Sequence, residues 1–202
     1  MTLRPAPGRP FILGLTGSIG MGKSAVAGML RDMGVPVFDA DAEVRRMEGP
    51  GGALLPAIEA AFLGTTGSAG VDREHLGEVV FGDEAALARL EAIVHPAVRA
   101  ARAAFLEQHA GANLVVFDIP LLFEKGGAQE VDAVVVVSAS AEVQRARVLA
   151  RPGMTPERYA RILALQLPDA DKRARADYVI STAGTLEDTR KEVAALVEKL
   201  SA

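Results

Sequence analysis

Gly17-Ser18-Ile19-Gly20-Met21-Gly22-Lys23-Ser24 follows the apolar stretch Phe11-Ile12-Leu13-Gly14-Leu15-Thr16 and precedes the helical pattern Ala25-Val26-Ala27-Gly28-Met29-Leu30. The stretch fits G-x-x-x-x-G-K-[ST], and strand, loop and helix stand in the order that a phosphate-binding loop needs. Glycines let the backbone curl so that several N–H groups face inward onto phosphate oxygens. The helix N-terminus adds partial positive charge. In such a loop Lys23 can reach the β- and γ-phosphates, and the Ser24 hydroxyl can ligate Mg2+. The plain alternative, a glycine-rich turn with a chance Lys-Ser, has no need of those flanks. The stretch therefore predicts that the chain binds a nucleoside triphosphate.

The 202 residues, half of them hydrophobic, suffice for one core with appended pieces and fall short of two full domains. Aromatic residues make up 4% and Trp is absent, which argues against stacking platforms for single-stranded nucleic acid. Cys is absent, so disulfides, thiolate catalysis and zinc-thiolate sites are excluded. No apolar run approaches membrane-spanning length. Residues 1–10, with three prolines and no apolar signal core, read as a loose tail. The expectation is a cytoplasmic protein with no membrane and no nucleic-acid partner, as a monomer or weak homo-oligomer. The net charge of −4 is uneven: Arg145 to Arg175 holds eight basic residues against three acidic ones. A basic window in an acidic chain suits local binding of a polyanion such as a triphosphate rather than a long nucleic-acid track. About half of these side chains would serve only as a solvated helical surface.

Strand candidates are 11–16, 35–38, 114–117, 133–137 and 178–180; the middle ones are apolar on both faces, as in a parallel sheet covered by helices on both sides. Helical patterns occupy 24–33, 53–63, 73–109, 141–151, 155–166 and 186–200. The order predicts a three-layer α/β core. The gap between the second and third strands exceeds one crossover helix and reads as a helical insertion over 45–111, with Gly64 to Gly70 as a flexible loop inside it. A second excess, 147–175, holds most of the basic window and reads as a lid. Residues 11–44, 112–146 and 176–202 are left as the nucleotide-binding core. Two insertions on such a core suggest a small-molecule kinase, one holding the acceptor and one closing over the phosphates to exclude water.

Asp39 and Asp41 follow the second strand, at the carboxyl end where open parallel sheets bind ligands. Either can accept a proton from an acceptor hydroxyl or hold a metal-bound water; either can also cap the helix starting near Ala42. Arg45, one turn past Asp41, can face the same space. Asp118 ends the third strand, where an acid beside a phosphate loop holds Mg2+ through water or serves as a turn Asp before Pro120. In Leu121-Leu122-Phe123-Glu124 the apolar residues suit packing, and Glu124 is open to either use. Arg147 and Arg151, four apart, can share a helix face and offer guanidinium forks to phosphate oxygens. Pro96 suits the first turn of a helix, and His95 before it is either a buried hydrogen-bonding residue or an acceptor contact.

Together these residues resemble the dephospho-coenzyme A kinase family. The anchors are the loop, Asp39-Ala40-Asp41 with Arg45, Val80-Phe81, Leu90-Glu91-Ala92-Ile93-Val94-His95-Pro96, Pro120-Leu121-Leu122-Phe123-Glu124, Arg147, Arg151, Gln166, Lys172 and Ala176-Asp177. The likeness runs from about Ile12 to Leu200. It implies a P-loop NTPase fold of the nucleoside-monophosphate-kinase type with a helical substrate-binding insertion and a lid. It implies transfer of the γ-phosphoryl group of ATP to the ribose 3′-hydroxyl of dephospho-coenzyme A, with ATP and dephospho-coenzyme A as substrates and Mg2+ as cofactor. By that likeness Asp41 is the general base, and Lys23, Arg147 and Arg151 join it in catalysis. Gly17 through Ala25 (Ser18, Ile19, Gly20, Met21, Gly22, Lys23 and Ser24 between them) hold the nucleotide. Arg45, His95, Leu121, Leu122, Phe123 and Glu124 belong near the acceptor, and Ser24 and Asp118 serve the metal. The chain departs from the family's usual pattern at Ser181-Thr182, at Pro152-Gly153 after Arg151, and at Met21.

Three other readings use the same loop. A nucleoside-monophosphate kinase would differ in its acceptor. A GTPase switch would carry Asn-Lys-x-Asp after a late strand, where Ser138-Ala139-Ser140-Ala141 stand instead. A nucleotide-binding protein without catalysis would have no need of Lys23, Ser24, Asp41 and Arg147 together.

Overall fold

In the computed structural model, which describes residues 9–201, the apolar stretch before the loop forms β1 (Phe11–Thr16), buried along its whole length. Along the chain follow α1 (Lys23–Asp32), β2 (Val37–Asp39), α2 (Ala40–Glu48), α3 (Leu55–Ala61), β3 (Thr66–Gly67), β4 (Gly70–Val71), α4 (Arg73–Val80) and α5 (Glu84–Gln108). Then come β5 (Leu114–Asp118), β6 (Ala133–Ser138), α6 (Ala141–Leu149), α7 (Pro156–Ala164), α8 (Asp169–Arg175), β7 (Tyr178–Ser181) and α9 (Leu186–Ser201). Two compact units result, 39–108 and the remainder.

The larger unit is built on a sheet of order β2-β5-β1-β6-β7. β1 runs parallel to β5 and β6, and β6 parallel to β7. Strand periodicity sorts the two faces. Phe11, Leu13, Leu15, Val135 and Val137 pack with Val26, Met29 and Leu30 of α1 and Val193 and Leu196 of α9. Val134 and Val136 point the other way, onto Leu122, Ile119 and Val131. Each such side chain, fully buried, contributes about 1.5–3 kcal/mol. Helices on both faces of a parallel sheet are the layered α/β architecture expected from the sequence.

Aspartates just ahead of two strands fix the register. Asp132, before β6, accepts from Ile12 N–H at 2.8 Å while its own N–H donates to Ile12 O at 2.8 Å. Asp177, before β7, repeats the device on Val134, at 2.8 Å and 3.0 Å. Arg9, within the stretch read as a loose tail, donates to both carboxylate oxygens of Asp132 at 2.6 Å, and Pro10 is buried. Residues 1–8 lie outside the described part.

The smaller unit has its own core of Met47, Leu54, Ile58, Phe62, Leu76 and Ala86, with Leu90, Ile93, Val94, Ala97 and Val98 of α5 packed on it. Gly52 is there because a Cβ would stand 2.0 Å from Met47 O. The Gly64–Gly70 loop is a short hairpin of β3 and β4 rather than a free loop. Glu59 accepts there from Gly64 N–H, Thr66 N–H and Thr66 Oγ1, and the bond from Gly64 N–H does most to hold its carboxyl below the usual range. Pro96 does not start a helix; it sits inside α5. Proline removes the N–H that would bond Ala92 O, and the apolar residues on either side of it keep the helix seated. Among the described residues no helix is long and apolar enough to cross a membrane.

Candidate active site

The loop leaves the carboxyl end of β1 and enters α1 through Gly22, whose φ of 88° is left-handed. Gly20, at φ 79°, is constrained twice, since a Cβ would also lie 2.5 Å from Val148 Cγ2. α1 has no side-chain cap and no acidic residue in its first turn, so its N-terminal field is left for an anion. Ser24 and Ala25 are exposed at that end, while Gly17, Ser18, Gly20 and Met21 are buried.

Lys23 Nζ reaches Asp118 Oδ1 at 2.5 Å, with 19% and 5% of the two side chains exposed. β1 and β5 are adjacent with Leu15 opposite Asp118, so the parallel sheet itself delivers the carboxylate to the loop. Asp118 therefore holds the loop lysine, a partner that spacing alone did not give. Among the described residues the Ser24 hydroxyl has no hydrogen bond. No cluster of three or more His, Asp or Glu side chains forms a metal cage among those residues. One hydroxyl and one carboxylate are hard oxygen donors of the kind Mg2+ accepts when it keeps waters and borrows phosphate oxygens, so this donor set fits that ion.

Side chains from outside the loop hold its backbone. Gln144 Nε2 donates to Ile19 O at 2.8 Å and Gln166 Oε1 accepts from Ile19 N–H at 3.0 Å. Thr182 Oγ1 donates to Met21 O at 2.8 Å. Tyr159 donates to Gln144 Oε1 at 3.1 Å, and burial pushes its phenol up, which keeps the donor proton in place. Met21 is buried with Sδ 3.1 Å from Ala139 N, so its side chain closes the underside of the loop. Gln144 was missed in the sequence. Its one signal is a buried polar residue a helical turn before buried Val148.

Arg147 donates to Thr182 Oγ1 at 3.1 Å and to Thr182 O at 2.6 Å. The shared helix face expected for Arg147 and Arg151 does not exist, because α6 ends at Leu149. Pro152 disfavours helix at the residue before it, and Arg151 lies exposed in the turn that follows. Leu122, expected near the acceptor, is fully buried against Val134 and Val136. Phe123 packs on the same cluster, and Leu121 is half-buried. Glu124 accepts from Leu167 N–H at 2.9 Å and lies 2.8 Å from the wholly buried Lys172 Nζ. That approach is a charge contact without hydrogen-bond alignment, and Glu124 Oε2 has no donor. Burial alone would raise the Glu124 carboxyl; Lys172 and the Leu167 amide outweigh it and hold the carboxyl below its usual range. Of the basic window, Lys172 is thus internal, whereas Arg145, Arg158 and Arg161 are exposed.

In the smaller unit Asp39 caps α2, accepting from Ala42 N–H at 2.8 Å. Asp41 and Arg45 are exposed on α2, and neither side chain has a hydrogen bond or ion pair among the described residues. His95 is exposed on α5 rather than buried.

Residues 11–188 match the family model of dephospho-CoA kinase (CoaE). The dephospho-CoA kinase of Novosphingobium aromaticivorans is 69% identical over 95% of this chain and 96% of its own. A crystal structure from Thermus thermophilus superposes with TM-score 0.83 at 37% identity, over 96% of this chain and 100% of that one. A dephospho-CoA kinase from Campylobacter jejuni shares the fold, with TM-score 0.64 at 23% identity over 94% and 96%. With the phosphate loop and the layered fold in place, the chain belongs to the dephospho-CoA kinase family and is a kinase.

Proposed function

We propose that the protein moves the γ-phosphoryl group of ATP to the ribose 3′-hydroxyl of dephospho-coenzyme A, giving coenzyme A and ADP. The observation that carries this reading is the loop built around Lys23 in a chain matched over 11–188 to this family. The 3′-oxygen attacks the γ-phosphorus in line, the bond to the β,γ-bridging oxygen breaks, and ADP leaves with that electron pair. Asp41 accepts the hydroxyl proton. It stands two residues beyond the carboxyl end of β2 and, unlike Asp39, is not spent on capping.

Lys23 and the amides of Gly20, Gly22 and Ser24 bind the phosphates. Ser24, with Asp118 acting through water, would hold Mg2+, which when bound neutralises charge on the β- and γ-oxygens. Two N–H groups of Arg147 are taken by Thr182, and the others remain for the nucleotide. Arg151, on the exposed turn after α6, is the mobile cation of the lid reading, 147–175, which closes to keep water from competing as acceptor. Arg45 and His95, both exposed on the smaller unit, serve the acceptor; Leu121 and Phe123 contribute apolar walls beside it, and Glu124, held by the buried Lys172, belongs to the same stretch. The protein works in the cytoplasm as a monomer or weak homo-oligomer.

The test is ADP release from ATP and Mg2+ with dephospho-coenzyme A, run beside AMP, UMP, CMP and GMP. Turnover with dephospho-coenzyme A alone, and product phosphorylated at the 3′ position, is expected. Turnover confined to a nucleoside monophosphate would reassign the acceptor unit.

A further inference from the structure

We propose that Gln144 and Thr182 are positioning residues that aim the amides of the phosphate loop, and that Tyr159 and Gln166 link this aim to the α7 segment. A trans peptide is planar, so its C=O and N–H point in opposite directions. Gln144 holds Ile19 O, which turns Gly20 N–H away from α6. Thr182 holds Met21 O, which turns Gly22 N–H away from β7. Two alternate carbonyls are therefore pinned from outside, and the two glycine amides that follow them face the other side. A nest of N–H groups on one side of a loop is what an anion needs. Glycines alone cannot supply it, because the freedom that lets them curl also lets their peptides flip.

The donors are themselves held. Gln144 is 5% exposed, and with Nε2 on Ile19 O its Oε1 takes the Tyr159 hydroxyl. Gln166 takes Ile19 N–H, which removes that amide from the phosphate set. Tyr159 lies on α7 and Gln166 lies two residues past its last residue, Ala164, so the α7 segment reaches Ile19 by two routes, through Gln144 and directly through Gln166. The Gly20 site shows how close the support lies: a Cβ there would come within 3.0 Å of Gln144 O.

The proposal rests on reading Gly17–Ser24 as a phosphate loop, and it is tested with ADP, which needs no acceptor. Calorimetry is run on wild type, Gln144→Met, Thr182→Val, Thr182→Ser and Tyr159→Phe. Gln144→Met and Thr182→Val should each weaken ADP binding about tenfold, as expected for losing one buried, fully used hydrogen bond. Thr182→Ser keeps the hydroxyl and should stay within about threefold of wild type. The Gln144 arm is independent of Arg147, which Thr182 also contacts. Turnover should show the same rise in KM for ATP with KM for dephospho-coenzyme A unchanged. Tyr159→Phe removes one hydroxyl and covers the case in which Gln144→Met fails to fold; it should weaken ADP about threefold. Unchanged ADP binding in folded Gln144→Met or Tyr159→Phe, or a Thr182→Ser as weak as Thr182→Val, would overturn the proposal. No ADP binding by wild type would overturn the phosphate-loop reading with it.

Discussion

Asp39 and Asp41 look equivalent in the sequence, and the backbone separates them. A carboxylate at the N-cap gives its oxygen to the first free amide of the helix, as Asp39 does to Ala42; two residues on, Asp41 faces solvent within the first turn. Replacing Asp41 by Asn is expected to lower kcat by roughly 100-fold or more while ADP affinity changes less than twofold, since a general base acts on the transition state. Unchanged kcat in steady-state assays would remove Asp41 from the mechanism. The loop was legible because its letters and flanks lie within one short stretch. Glu124 was not: its partner Lys172 comes from α8, and only the packed fold brings the two together with Lys172 buried. The burial of Leu122 was not legible for the related reason that a leucine on a turn has no period to reveal which way it points.

Helices came through in the sequence where caps and breakers agree with periodicity, and failed where they compete. α6 begins at Ser140, which caps Val143, and stops before Arg151-Pro152-Gly153, short of the 151 that spacing suggested. α5 does the reverse and runs through Pro96, because apolar residues on both sides hold it against the smaller unit's core. Pro96 is exposed, so Pro96→Ala should restore the missing bond and raise stability by about 1–3 kcal/mol in denaturant melts. A drop would mean that α5 is shaped around the proline. Among the strands, the Asp132 staple has a pH signature. Burial pushes its carboxyl up, but Arg9 and the Ile12 amide prevail and hold it below the usual range. Its contribution is thus full above the unfolded value near 4 and is lost as pH falls through the lower folded value. Asp132→Asn should cost about 1 kcal/mol at pH 7, a modest figure because Arg9 is 39% exposed. The deficit should fade as pH falls through that lowered folded value in pH-dependent unfolding.

At the level of the molecule, the α/β layering was readable from strands apolar on both faces, whereas the sheet order was not, since nothing local says that the first strand ends up central. β1 lies between β5 and β6, and the Ile12–Asp132 staple joins residues 120 apart in the chain. That placement dictates a timetable for folding. The earliest strand to be made has no neighbour until more than half the chain exists, and closing so long a loop must precede any reward from pairing. The segment 39–108, whose contacts are largely internal, has no such wait. Pulse-labelled hydrogen exchange during refolding should therefore protect Ile58 and Leu76 amides before those of Leu13 and Leu15; simultaneous protection would mean that sheet and smaller unit form as one cooperative step. On a ribosome the same order leaves Phe11–Thr16, an apolar strand buried along its whole length in the fold, without its partners until β5 and β6 have been made, a stretch of synthesis during which a chaperone has something to shield.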